Sequence, residues 1–337
     1  MTAPAHLSGG RSGSTDVVDR PSQGNLPMSV TDLPEAVQAQ SRGRAATGSN
    51  QSSDPDRVIH TRRVSFEESL ADLPKFFAAN GNPVSSHFAA SLSSLFPDGE
   101  DYFVRSVRHF RDRITDPDLK RQVAGFIGQE SVHGREHRYF NQRLDELGYN
   151  TRFSERMTKR ALEARTRFAP AKANLAATAA LEHFTATLAE LLLADEDARN
   201  MFGHDGARHL FVWHALEESE HKAVAFDVYR AVGGSERMRV WTMKFIRSGL
   251  AISLAFMVII GIVLDRDARR QGSLRRHLKE FGRSPVVSKE TWRRLCEYDR
   301  PGFHPNDRDT TALEEEWRNR FFGTEGELNG NLLKASA

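Results

Sequence analysis

The sequence predicts an all-α protein, a four-helix bundle followed by a C-terminal helical extension. From Pro83 onward, apolar residues recur at steps of three and four positions, the spacing of one helix face, and short turns separate the periodic segments. Carboxylates and imidazoles lie within these apolar stripes, including two Glu-x-x-His units far apart in the chain. Polar groups at such positions are costly unless they have partners, so they are the main clue to function.

The composition is that of a soluble globular protein and excludes several functional classes. Of the 337 residues, 39% are hydrophobic and 27% are charged, and the formal net charge is +2. This charge is too small to indicate nucleic acid, and the sequence has no nucleic-acid-binding motif, so we expect no nucleic-acid partner. The single cysteine, Cys296, allows neither an intrachain disulfide nor a thiolate metal cluster, which fits a cytoplasmic location.

Three regions follow from the composition along the chain. Residues 1–57 are rich in Ser, Gly, Pro, Gln and Asp and lack periodic apolar positions, which predicts a disordered N-terminal tail that is not a secretory signal. Residues 58–240 are predicted to form the bundle. Residues 241–337 are predicted to form an apolar helix and the C-terminal extension, whose final helix runs from Thr311 to Phe322.

The first carboxylate of interest is Glu100. A short helix around His87 is predicted to end at Pro97, and Asp98 is predicted to cap the next helix. On that next helix Glu100 shares a stripe with apolar residues such as Phe103. An unpaired carboxylate there would be strongly destabilising, so we expect a cation beside Glu100 or a shifted pKa.

The second bundle helix begins at an Asp-Pro-Asp turn and is predicted to run to about Leu147. Its inward stripe carries Glu130, His133 and His137 at its centre, with apolar residues on both sides. Residues three apart lie on one helix face, with Cβ atoms about 5–6 Å apart, so Glu130 and His133 can meet at one point. A solvent-exposed face is the alternative, and the apolar flanks argue against it.

The third helix starts near Pro170, a favoured first-turn residue, and is predicted to run through Leu193. Its inward carboxylate is Glu182, whereas the neighbouring His183 points about 100° away around the helix.

The fourth helix carries His214, Glu218 and His221 on one face, and the stripe continues to residue 228. Geometry alone does not separate Glu217 from Glu218, because each lies about 50° from the mean direction of the two histidines. The repeat of the earlier Glu-x-x-His unit favours Glu218 as the ligand. Glu217 then lies behind the ligands or on the substrate side.

Two Glu-x-x-His units, with one Glu from each of two further helices, form the dinuclear metal site of some four-helix bundles. Nitrogen and oxygen ligands without thiolate suit iron or manganese and can also hold zinc. The alternative is a pair of buried ion-pair networks, which would need Arg or Lys on inward stripes that are apolar or acidic instead. We therefore expect two bound metal ions, with iron preferred over manganese or zinc.

The chain resembles a family of predicted metal-dependent hydrolases with a ferritin-like fold, found in many bacteria. The resemblance covers roughly residues 58 to 330 and lies in the stretches Phe96-Pro-Asp-Gly-Glu100, Glu130-Ser-Val-His133-Gly-Arg-Glu-His137, Leu181-Glu-His183 and Trp213-His-Ala-Leu-Glu-Glu-Ser-Glu-His221. It implies a ferritin-like four-helix bundle and a hydrolytic reaction. In such a reaction the cation lowers the pKa of bound water toward about 7, and His137 or Glu217 takes a proton.

A second resemblance concerns the ligand pattern alone. The di-iron p-aminobenzoate N-oxygenases use two Glu-x-x-His units, two single Glu residues and a further His four residues before the last Glu. Carried onto this chain, that pattern gives the ligands Glu100, Glu130, His133, Glu182, His214, Glu218 and His221. It implies that two iron ions oxidise a hydrophobic or aromatic small molecule with O₂, with an electron donor as partner. Flanking sequences differ, so an arylamine substrate does not follow, and a non-catalytic metal-binding or redox-sensing bundle is a third alternative.

Residues 248–264 form an uncharged apolar segment, close to the lower length limit of a membrane-spanning helix. Trp241 and Lys244 before it are typical of a membrane interface, and the arginines after it would face the cytoplasm. A span of that polarity would put the bundle outside the cell. Partial insertion from the cytoplasmic face, an inverted span, and a buried helix or homodimer contact therefore stay open. We expect a cytoplasmic protein associated with the inner membrane and a hydrophobic substrate.

Overall fold

The computed structural model describes residues 58–334, so the tail predicted over residues 1–57 lies outside the described residues. The described part is all-α, which confirms the predicted fold class. Its helices, in chain order, are α1 (Pro83–Ser93), α2 (Phe96–Arg108), α3 (Pro117–Glu146), α4 (Thr151–Phe168), α5 (Ala171–Ala194), α6 (Glu196–Arg199), α7 (Asp205–His221), α8 (Val224–Ala231), α9 (Glu236–Leu264), α10 (Arg266–Arg270), α11 (Leu274–Phe281), α12 (Lys289–Glu297) and α13 (Thr311–Phe322).

Four helices form a closed ring at the centre of the bundle. Helix α2 packs on α3, α3 on α7, α7 on α5, and α5 on α2. These are the four segments in which the sequence places carboxylates and imidazoles on apolar stripes. Helix α4 packs on α2 and α3, and α8 packs on α3 and α5.

The ends of α3 and the start of α5 lie where the turn residues predict them. The Asp116 side chain accepts hydrogen bonds from the backbone N–H groups of Asp118 and Leu119 in the first turn of α3. After the last turn, Gly148 has a φ of +94°, a left-handed conformation that glycine adopts without steric cost. Pro170 directly precedes α5.

Three local features differ from the sequence-based prediction. Helix α2 begins at Phe96, so Asp98 lies within its first turn instead of capping it. A carboxylate in the first turn still interacts favourably with the helix dipole. The fourth bundle helix is interrupted, because α7 ends at His221 and α8 begins at Val224. Helix α4 was not predicted, and the reason is that Thr151 is its one fully buried residue, which leaves no continuous buried stripe to recognise.

The hydrophobic core contains two large clusters of buried side chains, and the ligand segments lie between them. On α3, Phe126 belongs to one cluster and Phe140 to the other, with the Glu130 unit between the two. The ligand residues 214–221 also lie between the clusters, since Leu210 before them belongs to one cluster and Val224 after them to the other. Each ligand segment is therefore anchored by apolar packing at both ends.

Helix α9, which contains the apolar segment 248–264, packs along α5 and α1. One of its faces is buried, whereas the opposite face exposes large apolar side chains. A Cβ added at Gly261 would lie 2.7 Å from His87 Nδ1, so glycine permits the close approach of α9 to α1. Within the described residues, α9 is the one helix long and apolar enough to cross a membrane.

Two distant segments pair beside the bundle. Val64 and Leu332 form an antiparallel bridge, the Ser65 N–H donates to Asn331 O at 2.9 Å, and the Leu333 N–H donates to Arg63 O at 2.8 Å. We call residues 59–66 the N-terminal strap. This pairing holds the strap next to α7, where Arg62 reaches the acidic side chains described below.

Candidate metal centre

The structure brings together all seven predicted ligand residues in the middle of the four-helix ring. Every one of them is at most 3% exposed. Helix α2 supplies one carboxylate, α3 a carboxylate and an imidazole, α5 one carboxylate, and α7 a carboxylate and two imidazoles. In chain order these residues are Glu100, Glu130, His133, Glu182, His214, Glu218 and His221.

Two groups of ligand atoms can each hold one ion. The first comprises Glu100, His133 and His214, the second Glu130, Glu218 and His221, and within each group the ligand atoms lie within 4.8 Å of one another. The two groups are joined by Glu218, whose Oε1 lies 3.0 Å from His214 Nε2 and 3.5 Å from His221 Nε2. This is the placement expected of a carboxylate shared by two metal ions.

The remaining carboxylate, Glu182, completes the second group from the α5 side. Its Oε2 lies 3.6 Å from His221 Nε2. On the same nitrogen, Glu130 Oε1 approaches to 3.0 Å, yet without the geometry of a hydrogen bond. Glu130, Glu182 and His221 thus converge on one point without hydrogen bonds to one another. This arrangement fits coordination of a common cation.

The carboxylates of the centre have no lysine or arginine partner in the part of the chain that the structure describes. Both oxygens of Glu100, Glu130 and Glu182 are buried and accept no hydrogen bond, and no Lys or Arg pairs with them there. When all four are ionised, these residues and Glu218 carry four negative charges, which two divalent cations would balance. The alternative of a buried ion-pair network built on Arg or Lys therefore does not describe these four residues.

The tautomer of His221 is set by its neighbour Gln129. The Gln129 amide nitrogen donates to Glu220 at 2.8 Å and to the His60 carbonyl at 3.1 Å, so the amide oxygen is the acceptor. That oxygen lies 2.8 Å from His221 Nδ1, which must then carry a proton. Nε2 is left as the nitrogen that faces the carboxylates and can bind a metal.

The carboxylate of Glu217 sets the tautomer of His133. Glu217 Oε2 lies 3.1 Å from His133 Nε2, while Glu217 Oε1 accepts from Arg62 at 3.0 Å and from Trp213 at 3.2 Å. With Nε2 protonated, His133 presents Nδ1 to the centre, and this atom is buried without a hydrogen-bond partner. Glu217 thus lies behind His133 and orients it, while Glu218 faces the ligand groups.

The third imidazole, His214, is oriented through His137. The Ser93 hydroxyl donates to Asn141 Oδ1 at 2.6 Å, so it accepts from His137 Nδ1 at 2.8 Å. His137 Nε2 then accepts from His214 Nδ1 at 2.8 Å, which leaves His214 Nε2 for a metal. Both ring nitrogens of His137 are engaged, and this position orients a ligand instead of facing a substrate.

The structure also shows which neighbouring residues lie outside the centre and which support its ligands. His183, next to Glu182, turns away from the centre: its Nε2 lies 3.3 Å from Arg294 O, and its ring packs against Tyr298 and Phe303. The supporting residues Arg62, Ser93 and Gln129 were not predicted. Gln129 directly precedes a ligand on α3, which is a weak signal, whereas Arg62 comes from a strap without periodicity and gives none.

Burial and mutual repulsion shift the proton affinities of these groups. Burial, with the charges of Glu130 and Glu218, raises the pKa values of Glu100 and Glu182 well above the usual range. Burial raises the pKa of Glu217 to about 8, against the charge of Arg62. Burial acts to lower the pKa of His221, but Glu218 and Glu130 raise it well above the usual value. Without metal, protons take the place of cations in the centre.

We therefore expect metal binding to release protons and apparent metal affinity to rise with pH. Groups with raised pKa values hold protons at neutral pH and must lose them when a cation binds, so raising the pH removes the competitor. Titration calorimetry in buffers of different ionisation enthalpy measures the number released. More than one proton per chain at pH 7 is expected, and a pH-independent affinity between pH 6 and about 8.5 would contradict this account.

An apolar pocket reaches the centre from the side of α1, α5 and α7. Its cavity volume is about 60 Å³, several times the space of one water molecule. Among its lining residues, the polar side chains are Thr185, His214 and Glu218, all at the metal end; the rest are aliphatic, aromatic or Met. The Thr185 hydroxyl donates to Glu218 Oε2 and fixes that carboxylate at the pocket wall.

Comparison with known proteins agrees with this geometry. A family model described as a predicted metal-dependent hydrolase matches residues 60–309, a range that includes all seven ligand residues and Arg62. No curated protein and no solved structure matches the chain.

Proposed function

This chain belongs to the family of predicted metal-dependent hydrolases, and we propose that its buried centre binds two metal ions as an enzyme cofactor. We propose further that the ions are iron and that the reaction oxidises a hydrophobic or aromatic small molecule with O₂. The observation that carries the proposal is the combination of a seven-residue, histidine-containing carboxylate centre with an apolar pocket that ends at two of its ligands.

The donor set fits two iron ions. Three imidazoles with their free nitrogens turned inward, three carboxylates without hydrogen-bond partners, and Glu218 offer nitrogen and oxygen donors without thiolate. When bound, iron would supply the redox chemistry toward O₂. The chain supplies the rest: Gln129, Glu217 and His137 hold the three imidazoles in one tautomer, and the apolar clusters exclude bulk water.

The pocket favours oxidation over hydrolysis. Hydrolysis benefits from hydrogen-bond donors and an acid beside the scissile bond, which stabilise developing charge and protonate the leaving group. The pocket presents Phe88, Leu92, Phe96 and Phe211 instead. Such a lining binds and orients an apolar molecule against His214 and Glu218 but offers no protein acid to it. An oxidation with O₂ at a reduced metal pair also requires electrons, so we include an electron donor among the partners.

Metal-dependent hydrolysis is the second candidate, and the family description favours it. A bound divalent cation makes water more acidic, and the carboxylates and imidazoles of each ligand group would hold such a cation. In this case zinc or manganese would replace iron, and the substrate would be an apolar ester or amide that fits the same pocket.

Anaerobic loading followed by an O₂ pulse separates the two candidates. Full-length protein is loaded with ferrous ion without O₂, its metal content is measured, and absorption is recorded after mixing with O₂. We expect about two irons per chain and a fast absorption change in the visible range that depends on O₂. Two zinc or manganese ions, no reaction with O₂, and turnover of apolar esters would transfer the proposal to hydrolysis.

The Glu218→Ala variant serves as the control in this experiment, because it removes the carboxylate shared by both ligand groups. This variant should neither retain two irons per chain nor give the O₂-dependent absorption change. A failure of wild-type protein to retain any metal after reconstitution would contradict both candidates.

A further inference from the structure

We propose that one face of α9 seats the protein on an anionic lipid bilayer, with the helix lying in the plane of the membrane surface. The outer face of α9 consists of apolar side chains that are each more than half exposed, namely Phe245, Ile252, Phe256, Ile259, Val263 and Leu264. Their spacing places them on one side of the helix. From residue 245 to residue 264 the stripe is about 29 Å long. A continuous exposed apolar surface of this size marks an interaction site.

The inner face of α9 is engaged by the bundle, which argues against a helix that crosses the bilayer. Val258 and Ile262 pack with Val84 and Phe88 of α1 in a buried cluster. Nearer its start, the buried Arg247 donates to Leu295 O at 3.2 Å and pairs with Asp299 at 3.0 Å. A crossing helix would have to carry these packed and charged neighbours into hydrocarbon, which is strongly unfavourable.

Polar residues border the outer face and limit how deep it can insert. A groove between α1, the start of α4 and α9 is lined on one side by the polar Ser91, Asn150 and Ser154 together with the exposed Phe153, and on the other by Phe256 and Ile260. Lipid that covers the outer face of α9 therefore meets polar side chains at this edge. This is the arrangement of an interfacial helix, whose apolar face lies about 5–10 Å deep at the headgroup boundary.

The charges at both ends of the stripe identify the occupant as an anionic surface. Residues 265–283 contain seven basic and three acidic residues. All seven basic side chains are exposed, whereas the acidic Asp265 and Asp267 both bond to Lys75. At the opposite end, Arg237 and Lys244 are exposed as well. Each basic group near an anionic membrane contributes about 1 kcal/mol to binding, so the two ends and the apolar face act together.

A second copy of this chain fits the face less well. Antiparallel pairing of two α9 helices would set the basic segment 265–283 of one copy against Arg237 and Lys244 of the other, and parallel pairing would set the two basic segments side by side. Either arrangement opposes like charges, which disfavours association. None of these residues belongs to the metal centre, so lipid binding and metal binding can be measured independently.

Vesicle co-sedimentation of the full-length protein tests the proposal. We expect the protein to sediment with phosphatidylcholine vesicles that contain phosphatidylglycerol, and at least about tenfold less with phosphatidylcholine alone. The double variant Ile252→Ser/Phe256→Ser should lower binding by about tenfold or more. Arg275→Glu/Arg276→Glu should reduce binding to the anionic vesicles toward the level seen with neutral ones.

Matched control variants on α4 distinguish binding through the outer face of α9 from nonspecific adsorption to vesicles. Phe168→Ser removes an aromatic side chain that is 79% exposed, and Arg156→Glu/Arg160→Glu reverses two exposed charges; both variants should bind vesicles as wild type does. Every variant should keep its metal content. Wild-type protein that stays in the supernatant with both vesicle types would overturn the proposal. So would a lipid-free dimer in sedimentation velocity that Ile252→Ser/Phe256→Ser dissociates, since the face would then be an interface between copies.

Discussion

Glu218→Ala is expected to empty the metal centre, while Glu217→Gln, one residue earlier, is expected to leave both ions in place with weaker binding. Glu218 Oε1 approaches His214 Nε2 and His221 Nε2, so its loss removes a ligand from both ion positions. Glu217 acts through His133 Nε2, and changes to such supporting groups typically cost about 10–100-fold in metal affinity. Elemental analysis after desalting measures occupancy, and competition with a chromophoric chelator measures affinity.

The adjacent pair makes this comparison stringent, since both residues lie on α7 and are nearly fully buried. Circular dichroism should show the same helix content in both variants, so a difference in metal content would not reflect unfolding. Equal loss of metal from the two variants would mean that Glu217, not Glu218, is the shared ligand, or that both serve as ligands.

In metal-free protein, Glu100→Gln and Glu182→Gln are expected to raise stability, although they weaken metal binding. A carboxyl group whose pKa is raised by folding stabilises the fold fully only below its unfolded pKa, and that contribution is lost as the pH rises. Both residues have strongly raised pKa values because of burial and neighbouring carboxylates. An amide removes this penalty, so each variant should gain about 1–3 kcal/mol near pH 7.5 and converge with wild type at about pH 4.

Urea unfolding with a chelator and with added metal measures both effects. With metal present the order should reverse, and wild type should be the more stable, because metal that binds only the folded state adds its binding free energy. Glu190→Gln is the control on α5: Glu190 is buried but pairs with Lys222 at 3.1 Å, so this variant should lose stability under both conditions. Destabilisation of metal-free protein by Glu100→Gln and Glu182→Gln would show that these carboxylates have stabilising partners without metal.

The convergence of the seven proposed ligand residues could be predicted because their positions follow helical periodicity. Glu100, Glu130 and Glu182 each lie on an apolar stripe, and a charge at such a position is conspicuous in any sequence. The choice of Glu218 over Glu217 needed the repeat of Glu-x-x-His in addition. Packing then turns residues with the same helical spacing toward one point, as the sequence indicates.

The supports of the ligands could not be predicted, because they depend on contacts between distant segments. Arg62 approaches Glu217 and Glu220 from the N-terminal strap, and Ser93 approaches His137 from α1. No spacing rule links such pairs. The interruption after His221 was missed for a similar reason: Lys222 turns its ammonium group to Glu190, Arg308 O and Thr310, contacts that lie far away in sequence.

The pairing of the N-terminal strap with residues 331–333 has a consequence for biogenesis. Glu220, which holds Gln129 and thereby His221, is itself held by Arg62 and by Arg318 of α13. Ribosomes add about 5–20 residues per second, so all seven ligands emerge several seconds before Arg318 and the segment that pins the strap. A nascent chain thus carries the ligands, Gln129 and Glu220 before it carries Arg318, which completes the support of Glu220. The chain of contacts from Arg318 through Glu220 and Gln129 to His221 is therefore complete only after translation has passed α13.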